Sequence, residues 1–105
     1  MKLKLLLTFL LGIQFHFAFS QTYTGTGGLI PDDGVSVIEF PLNVSGLTSP
    51  SLDATFGIES VCIDITHTWD ADLLVSIIAP DGTEVILTAN NGGDSDDYAN
   101  TCFDQ

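Results

Sequence analysis

Two patterns of apolar residues divide this chain. Residues Leu5 to Phe19 form a nearly unbroken apolar run behind Lys2 and Lys4. Beyond residue 20 the apolar positions recur at every second residue, in short stretches punctuated by Gly, Pro, Asp and Asn, the period of half-buried strands. Residues 21–34 read as an extended leader with turn chemistry at Pro31-Asp32-Asp33-Gly34. In Ser36–Val44, Ile38, Phe40, Leu42 and Val44 alternate with polar or small residues, which predicts a strand. Pro41 inside it points to an edge position or a bulge. Residues 45–55 predict a loop. Gly57–Thr68 predicts a second strand, with Val61, Ile63, Ile65 and His67 on one face and Cys62, Asp64 and Thr66 on the other. Ala71–Ala79 is apolar on both faces, as a buried central strand would be. Pro80-Asp81-Gly82-Thr83 predicts a hairpin turn into a strand over Thr83–Ala89, with Val85 and Leu87 facing the core. Asn90–Asn100 reads as a polar loop, and Thr101–Phe103 as the start of a further strand with Phe103 inward. No helical periodicity follows residue 20. Short strands with closely spaced turn signals predict an all-β sandwich.

The opening run changes the picture of the chain's environment. Its basic start, its apolar stretch and the small residues in Ala18-Phe19-Ser20 predict a signal peptide over residues 1–20, with Gln21 as the new N-terminus. The run is shorter than the ~18 to 20 residues a membrane span needs. The expected location is therefore secreted or at the cell surface, with no membrane contact after cleavage. Both Lys leave with the signal peptide, so the formal charge moves from −12 to −12 − 2 = −14, and no Lys or Arg remains. Phosphate neutralisation needs those residues, which excludes nucleic acid as a direct partner. Divalent cations are the natural counter-charge. The other reading is that the carboxylates are solvated and keep an exported protein soluble. The remaining length suits one small domain with a modest core. Two cysteines in an exported chain allow at most one internal disulfide.

The candidate chemistry is sparse. His67 lies near Asp64, Asp70, Asp72 and Ser76 in sequence. A hydrolytic triad needs Ser, His and an acid in mutual reach beside an oxyanion hole, and no Gly-x-Ser-x-Gly elbow is present. No catalytic residue is assigned. His67 reads instead as a strand-end residue, with Asp72 close enough to hydrogen-bond its ring. The acidic residues fall into two loops, Asp70/Asp72 and Asp94/Asp96/Asp97, with Asn91, Asn100 and Asp104 nearby. Such loops can supply hard oxygen ligands to calcium, or can simply be solvated. The EF-hand spacing is absent, and zinc is disfavoured because one His remains. Cys62 and Cys102 both sit on outward parity, which suits a cross-strand bridge; the alternatives are other partners or free thiols. Trp69, the single Trp, lies in a loop and could stack on a sugar or cover the end of a sandwich. Asn43-Val44-Ser45 is a formal glycosylation sequon.

The order Ile65-Thr66-His67-Thr68-Trp69-Asp70-Ala71-Asp72-Leu73, then Ile78-Ala79-Pro80-Asp81-Gly82-Thr83, then Asn91-Gly92-Gly93-Asp94-Ser95-Asp96-Asp97-Tyr98 resembles the P domain (P/Homo B domain) of kexin- and furin-like proprotein convertases and of secreted bacterial proteins. The resemblance covers about residues 35–105 and makes His67, Asp72, Pro80, Gly82 and Thr83 structural signature positions. It implies a jelly-roll-like β-sandwich that performs no chemistry and stabilises an adjoining subtilisin-like serine endopeptidase domain. It also raises the expectation of calcium, which some relatives bind. The later Gly-Thr-Trp-type motif of such domains has no counterpart, so residues 35–105 are expected to form a partial domain with a raw sheet edge. The alternative expectation is a calcium-dependent adhesive or carbohydrate-binding sandwich at the cell surface.

Overall fold

The computed structural model describes Phe17 and residues 19–104, so the expected signal peptide falls almost wholly outside the described residues. The described part is all-β. Its order is β1 (Ser60–Ile65), a single 3-10 turn (Asp70–Asp72), β2 (Leu74–Ile78), β3 (Glu84–Ala89) and β4 (Tyr98–Asp104). β1 pairs antiparallel with β4, and β2 with β3, giving two separate two-stranded sheets. This is the architecture of an incomplete sandwich. In each sheet both outer edges lack a ladder partner among the described residues.

The parity expected for β1 holds. Val61, Ile63 and Ile65 are half-buried, and the residues between them are exposed. Cys62 stands directly opposite Cys102 in the ladder. The ladder slips between Ile63 and Ile65, where Thr101 and Tyr98 are the partners. Asn100 sits in this slip with φ of 47°. Asn tolerates that left-handed conformation better than most residues. The bulge lets β4 begin at Tyr98, three residues before the expected start.

β2 is not the buried central strand that its composition predicts. Among the described residues it has one neighbour, and Leu74 and Ile78 are 58% and 52% exposed. An apolar strand is buried on both faces only when layers cover both, and here one hairpin partner is present. Leu73, just before the strand, is the single buried hydrophobic side chain among the described residues. β3 also departs from expectation. Val75 faces Thr88 while Ser76 faces Ile86, so Leu87 is the extra residue of a bulge. A bulge re-aims side chains. Thr88 is consequently buried, Leu87 half-buried and Val85 exposed.

The β2–β3 connection forms as predicted. Pro80 and Asp81 occupy the central positions of a turn closed by Gly82 N–H donating to Ala79 O at 2.9 Å. Gly82 takes φ of 88°, which only glycine adopts readily. Ala79 N–H then donates to Thr83 O at 2.8 Å, the turn-plus-bulge geometry of short hairpins.

Residues 36–44 are not a strand, contrary to their alternating pattern. Ile38, Phe40, Leu42 and Val44 are all exposed. The leader nonetheless runs beside them. Gln21 Nε2 reaches Gly46 O at 3.5 Å, and the Tyr23 hydroxyl donates to Ser45 O. A Cβ at Gly25 would lie 3.5 Å from Leu42, and one at Gly28 would lie 3.0 Å from Phe40. These pairs descend along one segment as they ascend along the other, so the two segments are antiparallel neighbours without a ladder. Alternation marks a face that can be buried; a strand also needs a partner for its backbone groups, and Pro41 has no N–H to offer.

Candidate functional site

The two acidic loops of the sequence meet at the end of the β2–β3 pair opposite its turn. The chain leaves β1 through Thr66 and His67, makes the 3-10 turn at Asp70–Asp72, and enters β2. After β3 the loop 90–97 folds back over that turn. Asp70 N–H donates to Ser95 O at 2.9 Å, Ala71 N–H to Gly93 O at 3.2 Å, and Ser95 N–H to Gly92 O at 3.1 Å. Asn90 N–H donates to Leu73 O at 3.0 Å, and Asn90 Nδ2 to Ala71 O at 2.8 Å. The contact is mainly backbone to backbone, and no Lys or Arg lies among the described residues.

Gly92 makes the approach possible. Its φ is 96°, and a Cβ there would lie 2.7 Å from Asp70 Cβ and 3.2 Å from Asp70 Oδ2. Any other residue would collide with Asp70. Asp70 is thereby 6% exposed, and its Oδ1 is sealed from solvent without a hydrogen-bond partner.

The other acidic candidates have different fates. Asp97 is structural: its carboxylate accepts from His67 N–H at 2.8 Å, while its own N–H donates to His67 O at 3.0 Å. This reciprocal clamp joins the end of β1 to the start of β4. Asp72, Asp94 and Asp96 are exposed. Among the described residues no three His, Cys, Asp or Glu side chains converge as a ready ligand set. The five carboxylates are therefore neighbours in one region and do not form a side-chain cage.

His67 does not pair with Asp72 as expected. Its Nδ1 lies 2.8 Å from Trp69 O and 3.1 Å from Trp69 N. The ring thus caps its own turn, donating to the carbonyl or accepting from the N–H according to its tautomer. Ser76 is half-buried within β2. Trp69 is 52% exposed beside the buried Asp70. Pro80, Gly82 and Thr83 lie at the opposite end of the β2–β3 hairpin from the acidic loops.

A small polar cluster was not evident in the sequence. Thr88, 5% exposed, accepts from Asn91 Nδ2 at 3.1 Å, and its hydroxyl lies 3.4 Å from that of Tyr98. Tyr98 in turn donates to Asn91 O at 3.3 Å. The cluster bridges β3 to β4, and hence one sheet to the other. The β3 bulge that turns Thr88 inward carries no sequence signal of its own. The disulfide is present: Cys62 and Cys102 are joined across β1 and β4.

This arrangement is that of a small all-β module with a clamped His-turn and an acidic loop. Residues 59–104 match the family described as proprotein convertase P-domain, and this segment belongs to that family. The chain is also 33% identical over 82 residues to leupeptin-inactivating enzyme 1 of Streptomyces exfoliatus. That match covers 77% of this chain and 18% of the relative, so the chain spans about a fifth of that protein's length. No solved structure matches the chain.

Proposed function

We propose that this chain supplies the P domain of an exported protein and works as a non-catalytic module beside a peptidase-type catalytic domain. The match of residues 59–104 to the P-domain family carries this reading. Two features support it. The His67 ring is occupied by the backbone of its own turn. The curated relative is named as an enzyme, and the part similar to this chain is a minor fraction of it. Export is supported by the apolar N-terminal run and by the Cys62–Cys102 bridge, since disulfides persist in oxidising compartments.

The exposed apolar residues Leu74, Ile78 and Ile86 on one side of the β2–β3 sheet offer a face for such a neighbour, while Val85, opposite Ile77, lies on the other side. Cross-linking of the chain in its native culture medium tests the reading. A carboxylate-reactive reagent is needed, because no lysine follows residue 20. Links to a catalytic domain are expected; links only between copies of the chain would overturn the accessory role. Peptide and casein panels provide a second check. No turnover is expected, and turnover that disappears in His67→Ala or Ser76→Ala would overturn the non-catalytic assignment.

A further inference from the structure

One covalent weak point lies at the junction of the sheets. Asn91-Gly92 is the single Asn-Gly pair of the chain, in the loop that carries β3 into β4. Asn is thermolabile, and most so before glycine, where no Cβ shields the next backbone nitrogen from the Asn side chain. Here the fold requires that glycine: its φ is 96°, and a Cβ would lie 2.7 Å from Asp70 Cβ. The Asn is engaged as well. Asn91 Nδ2 donates to Thr88 Oγ1 at 3.1 Å, and Thr88 is 5% exposed. Asn91 O accepts from the Tyr98 hydroxyl at 3.3 Å, and Gly92 O accepts from Ser95 N–H at 3.1 Å.

We propose that Asn91 is a site of slow self-modification to aspartate and isoaspartate, gated by opening of the Thr88–Asn91–Tyr98 cluster. The Gly92 nitrogen loses its proton to hydroxide and attacks Asn91 Cγ. The Cγ–Nδ2 bond breaks, and ammonia leaves with a proton from water. Water then opens the resulting succinimide at either of its carbonyls. The net change consumes water and releases ammonia, with no redox step. Ring closure expels the nitrogen that serves Thr88 and draws the Gly92 peptide into the ring, so the folded contacts oppose it. Their loss is also the consequence. Neither product offers Thr88 the Nδ2 donor, and both add a negative charge to a loop that already carries Asp94, Asp96 and Asp97. Isoaspartate also lengthens the backbone before Gly92 by a methylene carbon, which displaces the glycine from Asp70. The pair therefore times the loosening of the tie between the two sheets, whatever domain the chain accompanies.

Ageing of the exported chain at mildly alkaline pH, followed by peptic mapping that separates aspartate from isoaspartate, provides the test. Conversion is expected at Asn91 ahead of Asn43, Asn90 and Asn100. In the folded chain it should run about tenfold slower than in urea, the protection that hydrogen bonds of this kind confer. Thr88→Val removes the acceptor of the Asn91 side chain; it should speed conversion in buffer and leave the rate in urea unchanged. Equal rates for the unsubstituted chain in buffer and in urea would overturn the gating without recourse to any variant. Conversion first at another Asn, or none at Asn91 in urea, would overturn the site. The consequence is read separately by NMR: Asn91→Asp should shift the amides of Thr88, Gly92 and Tyr98 and leave those of the 80–83 turn in place, and unchanged Thr88 and Tyr98 amides would show that the cluster does not depend on the Asn91 side chain.

Discussion

Gly92 shows how much a single residue decides in this molecule. Gly92→Ala should meet two penalties together: a positive φ and a Cβ placed 2.7 Å from that of Asp70. Backbone strain and overpacking of this kind sum to about 2 to 4 kcal/mol. Gly93 also has positive φ, 60°, yet a Cβ there meets nothing within 4 Å. Gly93→Ala should cost only about 1 to 2 kcal/mol. Urea unfolding of both variants checks the order, and an equal loss would show that the contact with Asp70 is not what Gly92 provides. A second residue-scale prediction concerns Asp81. Its carboxylate accepts from Thr83 N–H at 2.9 Å. Hydrogen bonds from the Thr83 backbone, then from its side chain, hold its pKa below the ordinary aspartate value. A depressed folded pKa stabilises the turn above the unfolded value, near pH 4, and that contribution is lost as pH falls through the folded pKa. Carboxyl carbon titration by NMR should place the Asp81 midpoint below that of an unstructured aspartate, with the turn loosening only at the acid end.

At the scale of elements, the β1–β4 pair is held by a ladder and a bridge, and the bridge matters more than its position suggests. The two cysteines are 40 residues apart, so the cross-link restrains the unfolded chain over most of the P-domain segment. The chain-entropy relation assigns such a loop about 3 to 4 kcal/mol. Cys62→Ser with Cys102→Ser should lower the unfolding free energy by that amount. A loss below about 1 kcal/mol would mean that the unfolded chain is already restrained in this region. The β2–β3 hairpin has no such bridge and depends on its turn. The polar cluster of Thr88, Asn91 and Tyr98 joins it to β4, so loss of the bridge should also loosen the second sheet.

For the whole molecule, the small core has a direct consequence. Leu73 is the one buried hydrophobic side chain among the described residues. Full burial of such a side chain contributes about 1.5 to 3 kcal/mol, against the roughly 5 to 15 kcal/mol of ordinary domain stability. The chain by itself should unfold over a broad range and bind a hydrophobic dye at neutral pH, because its apolar faces at Leu74, Ile78, Val85 and Ile86 are open. A sharp calorimetric transition without dye binding would show that these faces are closed in solution. Exported material should begin at Gln21 by mass spectrometry; retention of residues 1–20 would overturn the signal-peptide expectation.

Local rules made several features legible in the sequence. The period of two set the inward face of Val61, Ile63 and Ile65. The Pro-Asp-Gly order marked the hairpin, because a left-handed glycine is required there. The outward parity of both cysteines anticipated the bridge, and the His-Thr to Asp-Leu spacing carried the family. Each of these depends on residues close together in the chain or on strict alternation. Tertiary structure alone decided the rest. The alternation of Ile38 to Val44 produced no strand, because pairing needs hydrogen-bond partners that the pattern does not specify. The bulge at Leu87 reversed the facing of β3, since register is a relation between two strands. Among five similar acidic residues, only the folding of loop 90–97 over the 70–72 turn separated the buried Asp70 from the clamping Asp97 and from the exposed Asp72, Asp94 and Asp96. Burial is a property of what packs against a residue, and here that neighbour is a glycine more than twenty positions away.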